Sequence, residues 1–96
     1  MMILVTYDVE TTTPSGAKRL RKVAKECQNY GQRVQNSVFE CVLTEAQFVV
    51  LRNNLSNIID MEKDSIRYYF MGNNWSKHIE MIGKSTSYDV TSELII

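Results

Sequence analysis

Gly31-Gln32-Arg33-Val34-Gln35-Asn36-Ser37-Val38-Phe39-Glu40-Cys41-Val42-Leu43 is the stretch that decides the fold. A glycine suited to ending a helix leads into two strand candidates, Arg33 to Gln35 and Ser37 to Leu43, with only the turn-like Asn36 between them. Upstream, Ala17, Leu20, Val23, Ala24 and Cys27 form one helical stripe between Pro14 and about Tyr30. Thr13 is placed to cap that helix, and Pro14 fits its first turn, where a missing N–H costs nothing. Downstream, Thr44-Glu45-Ala46-Gln47 has the form of a capping box, opening a second helix with the stripe Phe48, Leu51, Leu55, Ile58 and Ile59. Asp60 to Asp64 reads as a charged loop.

The outermost elements are strands. Met2 to Val9 is β-branched and apolar, with Ile3, Val5 and Tyr7 on one face and Leu4, Thr6 and Asp8 on the other. Ser65 to Met71 places Ile66, Tyr68 and Phe70 together. The order β-α-β-β-α-β predicts an α+β, ferredoxin-like fold, an antiparallel sheet with both helices on one face. The 96 residues make a single domain, with the core fold in 1–71 and a C-terminal extension in 72–96. That extension holds a turn at Gly72-Asn73-Asn74, a further strand from Lys77 to Ile82, and an apolar ending, Leu94-Ile95-Ile96. A sheet with one uncovered face predicts a two-fold homodimer, with the extra strand extending the partner's sheet.

No apolar run approaches the roughly 20 residues of a membrane span. The N-terminus lacks a basic leader and a small-residue cleavage site, so it reads as a strand and the expected compartment is the cytoplasm, with no membrane partner. Cys27 and Cys41 fall at core positions without metal-ligand spacing, as expected of buried, reduced thiols. Net charge is zero, but residues 1–33 carry six basic against three acidic side chains, and the remainder five against eight. The basic excess gathers on the first helix, where Lys18, Arg19, Arg21, Lys22 and Lys25 lie off the apolar stripe, interrupted only by Glu26. A row of this kind suits binding to duplex phosphates irrespective of sequence.

Asp8 is a carboxylate ending an apolar strand, where such a residue usually serves as a turn-former or cap and chemistry is the less common role. A magnesium ion is held better by more than one carboxylate. A residue near a two-fold axis meets its own copy, so two Asp8 side chains can share one cation. That pairing suits metal-dependent hydrolysis of a phosphodiester. The sole histidine, His78, has no cysteine placed beside it, so no covalent nucleophile is indicated.

Two blocks, Val5-Thr6-Tyr7-Asp8-Val9 and Gly31 to Glu40, together with Ser65-Ile66-Arg67-Tyr68-Tyr69 and Gly72-Asn73-Asn74-Trp75, carry a resemblance to a known family. The chain resembles the CRISPR-associated protein 2 family, the small adaptation endonucleases, and most of all its type I-C members. The resemblance implies a homodimer with Asp8 as catalytic and metal-binding residue, Mg2+ or Mn2+ as cofactor, and the CRISPR adaptation integrase as partner. It implies duplex DNA and single-stranded RNA as nucleic acids acted on or bridged during spacer acquisition. Tyr7, Arg33, Ser37 and Phe39 match motif positions with supporting roles. Arg33 is a candidate for contact with the scissile phosphate, Phe39 for core or dimer packing, and Tyr7 points away from Asp8. The loop after Asp8 (Glu10, Thr11, Thr12, Thr13) is acidic and threonine-rich, which leaves phosphate contact to the helix beyond it. The alternatives are a toxin-like ribonuclease of the same fold and a purely architectural, non-catalytic dimer. An RNA-recognition domain would need a glycine-and-aromatic signature strand, which is missing.

Overall fold

A computed structural model describes residues 1–72 and 78–84. The elements run β1 (Met2–Asp8), α1 (Pro14–Gln28), β2 (Gly31–Gln35), β3 (Val38–Val42), α2 (Glu45–Ile58), β4 (Ser65–Met71) and β5 (His78–Gly83). They form one antiparallel sheet in the order β2-β3-β1-β4-β5, which is the ferredoxin-like arrangement with one strand added at the β4 edge. The expectations for Asn73, Asn74, Trp75, Lys77 and the 94–96 tail lie outside the described residues.

Each helix begins where its capping chemistry allows. Thr13 accepts the Gly16 N–H at 3.2 Å, with Pro14 in the first turn of α1. The capping box of α2 is complete: Thr44 Oγ1 accepts the Gln47 N–H, and the Gln47 side chain accepts the Thr44 N–H. The α1 boundary differs from the sequence reading. It stops at Gln28 with Asn29 as its cap, and Gly31 is already the first residue of β2. Gly31 has no left-handed backbone, a conformation found only at Gly83 among the described residues. Its missing side chain serves close strand approach instead, because a Cβ there would strike the Glu40 carbonyl of β3.

Both helices cover one face of the sheet. Ile3, Val5 and Tyr7 of β1, Phe39 and Cys41 of β3, and Ile66 and Tyr68 of β4 are buried against Val23 and Cys27 of α1 and Phe48, Leu51 and Leu55 of α2. Phe48 meets the rings of Tyr68 and Phe70 edge-on, with centroids 5.3 and 5.1 Å away. The alternate residues face the helix-free side. Register places Leu4 between Glu40 and Tyr69, Thr6 between Val38 and Arg67, and Met2 between Val42 and Met71. This face is largely apolar yet only partly buried or exposed, as the alternation in β1 predicts.

The added strand, β5, pairs residue by residue with β4 of its own chain, from Ser65↔Gly83 to Phe70↔His78. Arg52 of α2 bonds both carboxylate oxygens of Glu80 at 3.0 and 3.1 Å, and Ile82 packs against the core. The cause is local: a strand that follows β4 after so short a connection can pair with it as a hairpin, and α2 offers the matching charge.

Candidate active site

β1 delivers Asp8 to the end of the central strand, where its backbone still pairs with Ser65 of β4. Because Tyr7 is buried against the helices, alternation turns Asp8 to the helix-free face, and it is exposed. Its carboxylate makes no hydrogen bond or ion pair among the described residues. A free, solvent-facing carboxylate is available to a cation. Among the described residues no cluster of three or more histidine, cysteine or acidic groups could hold a metal ion. Magnesium is commonly held by one or two carboxylates with water and substrate phosphate completing its shell, a donor set that Asp8 can begin.

Tyr7, Arg33 and Phe39 come together, but on the other face. Phe39 is fully buried, and Tyr7 stacks on it with ring centroids 6.2 Å apart. Arg33, paired with Phe39 in register, lays its guanidinium over that ring at 5.3 Å. Burial pushes the Tyr7 phenol above its ordinary pKa, and the nearby Arg33 charge pulls it part of the way back. Tyr7 donates its hydroxyl to the Asn36 carbonyl, and its N–H to the Ser37 carbonyl at 3.1 Å. Tyr7, Phe39 and Ser37 therefore pin the β2–β3 turn beside the end of β1. Arg33 stands on the helix side of the edge strand β2, across the sheet from Asp8.

The basic row also separates. Lys18, Arg21, Lys22 and Lys25 occupy positions i, i+3, i+4 and i+7 on the exposed side of α1, with no ion pair among the described residues. Arg19 leaves the row: its Nε donates to Asp64 Oδ2 at 2.7 Å, so its charge is committed to the protein. Glu26, the one acid among these cations, accepts from Asn54 Nδ2 of α2. The sequence reading gave Asp64 no role beyond a place in a charged loop; it is fully buried. Burial alone would raise the Asp64 pKa, but Arg19 and the N–H groups of Asp60 and Glu10 hold the carboxyl below its ordinary 3.8. Cys27 and Cys41 are free, buried thiols, pushed up to about 12 and about 11 chiefly by burial, which disfavours the reactive thiolate.

The fold and this strand-end carboxylate define a class: a small ferredoxin-like domain with an acidic residue at the tip of β1 and a cationic first helix. The profile described as CRISPR associated protein Cas2 matches residues 1–79, and the chain belongs to that family. It is 55% identical over 95 residues to the CRISPR-associated endonuclease Cas2 of Halalkalibacterium halodurans, covering 99% of each protein. It is 53% identical to the CRISPR-associated endoribonuclease Cas2 of Chlorobaculum tepidum over the full length of both. Crystalline Cas2 of Streptococcus pyogenes superposes with a TM-score of 0.72 at 64% identity, over 78% of this chain and 90% of that one. The relatives' names support a nuclease role, and no described helix is long and apolar enough to cross a membrane.

Proposed function

We propose that this protein is a metal-dependent endonuclease of CRISPR spacer acquisition, acting as a two-fold dimer with Asp8 of each copy at the reacting centre. The observation that carries the reading is the free, exposed Asp8 carboxylate at the end of β1, on the face that no helix covers. A second copy seated on the half-buried Leu4, Val38 and Tyr69 would cover apolar surface and bring the two Asp8 ends toward one axis. Mg2+ or Mn2+ bound there would activate a water molecule and offset charge developing on the phosphate oxygens. Two facing carboxylates repel, so each Asp8 favours a cation over an empty site. Neither buried thiol lies on the exposed face that carries Asp8, so the proposed hydrolysis is direct attack of water on the phosphodiester.

Lys18, Arg21, Lys22 and Lys25 lie beyond the helix layer and serve as a phosphate-holding surface for duplex DNA, bridged in complex with the adaptation integrase. Single-stranded RNA is the second substrate class. Buried free thiols fit a reducing cytoplasm. The test is Asp8→Ala, assayed in parallel for Mg2+-dependent cleavage of DNA and RNA and for spacer integration. Cleavage is expected to vanish; cleavage at the wild-type rate would sink the reading. Retained integration would assign Asp8 to cleavage alone and leave the architectural role to the rest of the dimer. Replacing the four cations together by glutamine is expected to flatten the salt dependence of duplex binding, by about one unit of log–log slope for each phosphate no longer neutralised.

A further inference from the structure

Asp64 sits where the charged loop ends and β4 begins, and the nuclease reading gives it no role. Its Oδ1 accepts the Glu10 N–H at 3.0 Å and Arg19 Nη2 at 3.3 Å. Its Oδ2 accepts Arg19 Nε at 2.7 Å and the Asp60 N–H at 2.8 Å. The Asp64 carbonyl accepts the Lys84 N–H at 2.7 Å. One buried residue thereby ties together the loop after β1, the first helix, the turn before β4 and the end of β5.

Asp8 lies inside this knot without touching it. On one side its backbone pairs with Ser65, the neighbour of Asp64. On the other, the chain is caught two residues later by the Glu10 N–H bond to Asp64. Glu10 is itself folded back, its Oε1 accepting from the Thr12 N–H and hydroxyl, while its carbonyl packs so closely on Gly16 that no Cβ fits there. An exposed carboxylate with no partner among the described residues is oriented there only by its backbone, and that backbone is referenced on both sides to Asp64. A reacting group must be held to within a fraction of its own bond lengths by rigid supporting contacts.

We infer that the Asp64–Arg19 pair is a positioning unit for Asp8, fixing the end of β1 and the following loop so that the carboxylate stands at the height required for cleavage. The inference rests on the nuclease reading of Asp8, and the experiment separates the two. Wild type, Asp8→Ala, Asp64→Asn, Arg19→Lys and a core control, Leu55→Ala, are assayed with Mg2+ on a short labelled DNA duplex and a single-stranded RNA. Each variant is measured at a temperature where circular dichroism shows it fully folded.

Asp64→Asn is expected to lower kcat about a hundredfold, the scale of a small misplacement of a reacting group, while KM stays within about twofold. Arg19→Lys keeps the charge but loses the fork and should fall between wild type and Asp64→Asn. Leu55→Ala should lose stability and keep its kcat. Hydrogen exchange at the Glu10 amide should quicken in Asp64→Asn and not in Leu55→Ala. Wild-type cleavage by Asp8→Ala overturns the nuclease reading, and this inference with it. An inactive Asp8→Ala beside an Asp64→Asn of wild-type kcat overturns only the inference, as does an equal kcat loss in Leu55→Ala. If Asp64→Asn does not fold, Arg19→Lys carries the same comparison, and an unchanged kcat there is decisive against it.

Discussion

The two faces of the sheet are built from the same strands and obey different rules. On the covered face Ile3, Val5, Phe39, Cys41, Ile66 and Tyr68 are fully buried beneath the helices. On the other, Leu4, Thr6, Glu40 and Tyr69 are only half-buried, and Val42 and Met71 are exposed. Strand alternation forces every residue of β1 onto one side or the other. The covered face therefore determines the fold, and Asp8 stands on the side left free for contact and chemistry.

The contrast predicts unequal costs of mutation. Phe39→Ala should have the largest effect, about 3–5 kcal/mol in urea unfolding, because it empties a closed site and strips both Tyr7 and Arg33 of their ring partner. A loss below about 1 kcal/mol would mean that the covered face is not close-packed. Asp64→Ala comes next, at about 3 kcal/mol, since it strands the Arg19 guanidinium and two backbone N–H groups. The stabilisation has a pH signature. A carboxyl whose folded pKa is depressed contributes fully above its unfolded value and loses that contribution as pH falls through the folded one. Wild-type stability should decline from about pH 4 downward, and Asp64→Asn should flatten that decline. An equally steep acid limb in the variant would assign the effect to other carboxylates.

The covered face was the legible part of the sequence. Helical stripes and two caps located α1 and α2, and period-two alternation correctly put Tyr7 and Asp8 on opposite sides. What stayed hidden depended on contacts distant in sequence. Asp64 looked like one more loop acid because its partners, Glu10 and Arg19, are 54 and 45 residues away. The same pairing removed Arg19 from a cationic row that spacing alone had made continuous. Gly31 suggested a helix stop because glycine has two uses, free backbone rotation and close approach, and only the position of Glu40 distinguishes them. β5 was legible as a strand, but its seat beside β4 was not, since the Arg52–Glu80 bond to α2 that helps hold it there joins distant parts of the chain.

The free face yields a smaller energetic effect with a clearer physical readout. Leu4→Lys should change the stability of the single chain by about 1 kcal/mol or less, because the side chain is already partly in water. If a second copy covers this face, a charge in its centre must either be desolvated or prevent association. Light scattering should then give half the wild-type mass, and the melting temperature should lose its dependence on protein concentration. A variant that keeps the dimer mass would place the interface elsewhere and separate the two Asp8 residues.

The smallest effect should come from a flaw in the covered face, and its sign should be reversed. Tyr68 is fully buried, and its hydroxyl has no hydrogen-bond partner among the described residues. Desolvation pushes its phenol far above the ordinary value, with the neighbouring Cys27 and Glu80 adding to the shift and Arg52 opposing it. A buried hydroxyl without a partner forfeits the bonds it made to water in the unfolded chain. Tyr68→Phe removes that oxygen and keeps the ring, including its edge-on contact with Phe48. The expected result is neutral to about 1 kcal/mol more stable, read from the urea midpoint with an unchanged slope. A loss of similar size would show that the hydroxyl is bonded after all, and that the covered face is tied by a polar contact as well as by packing.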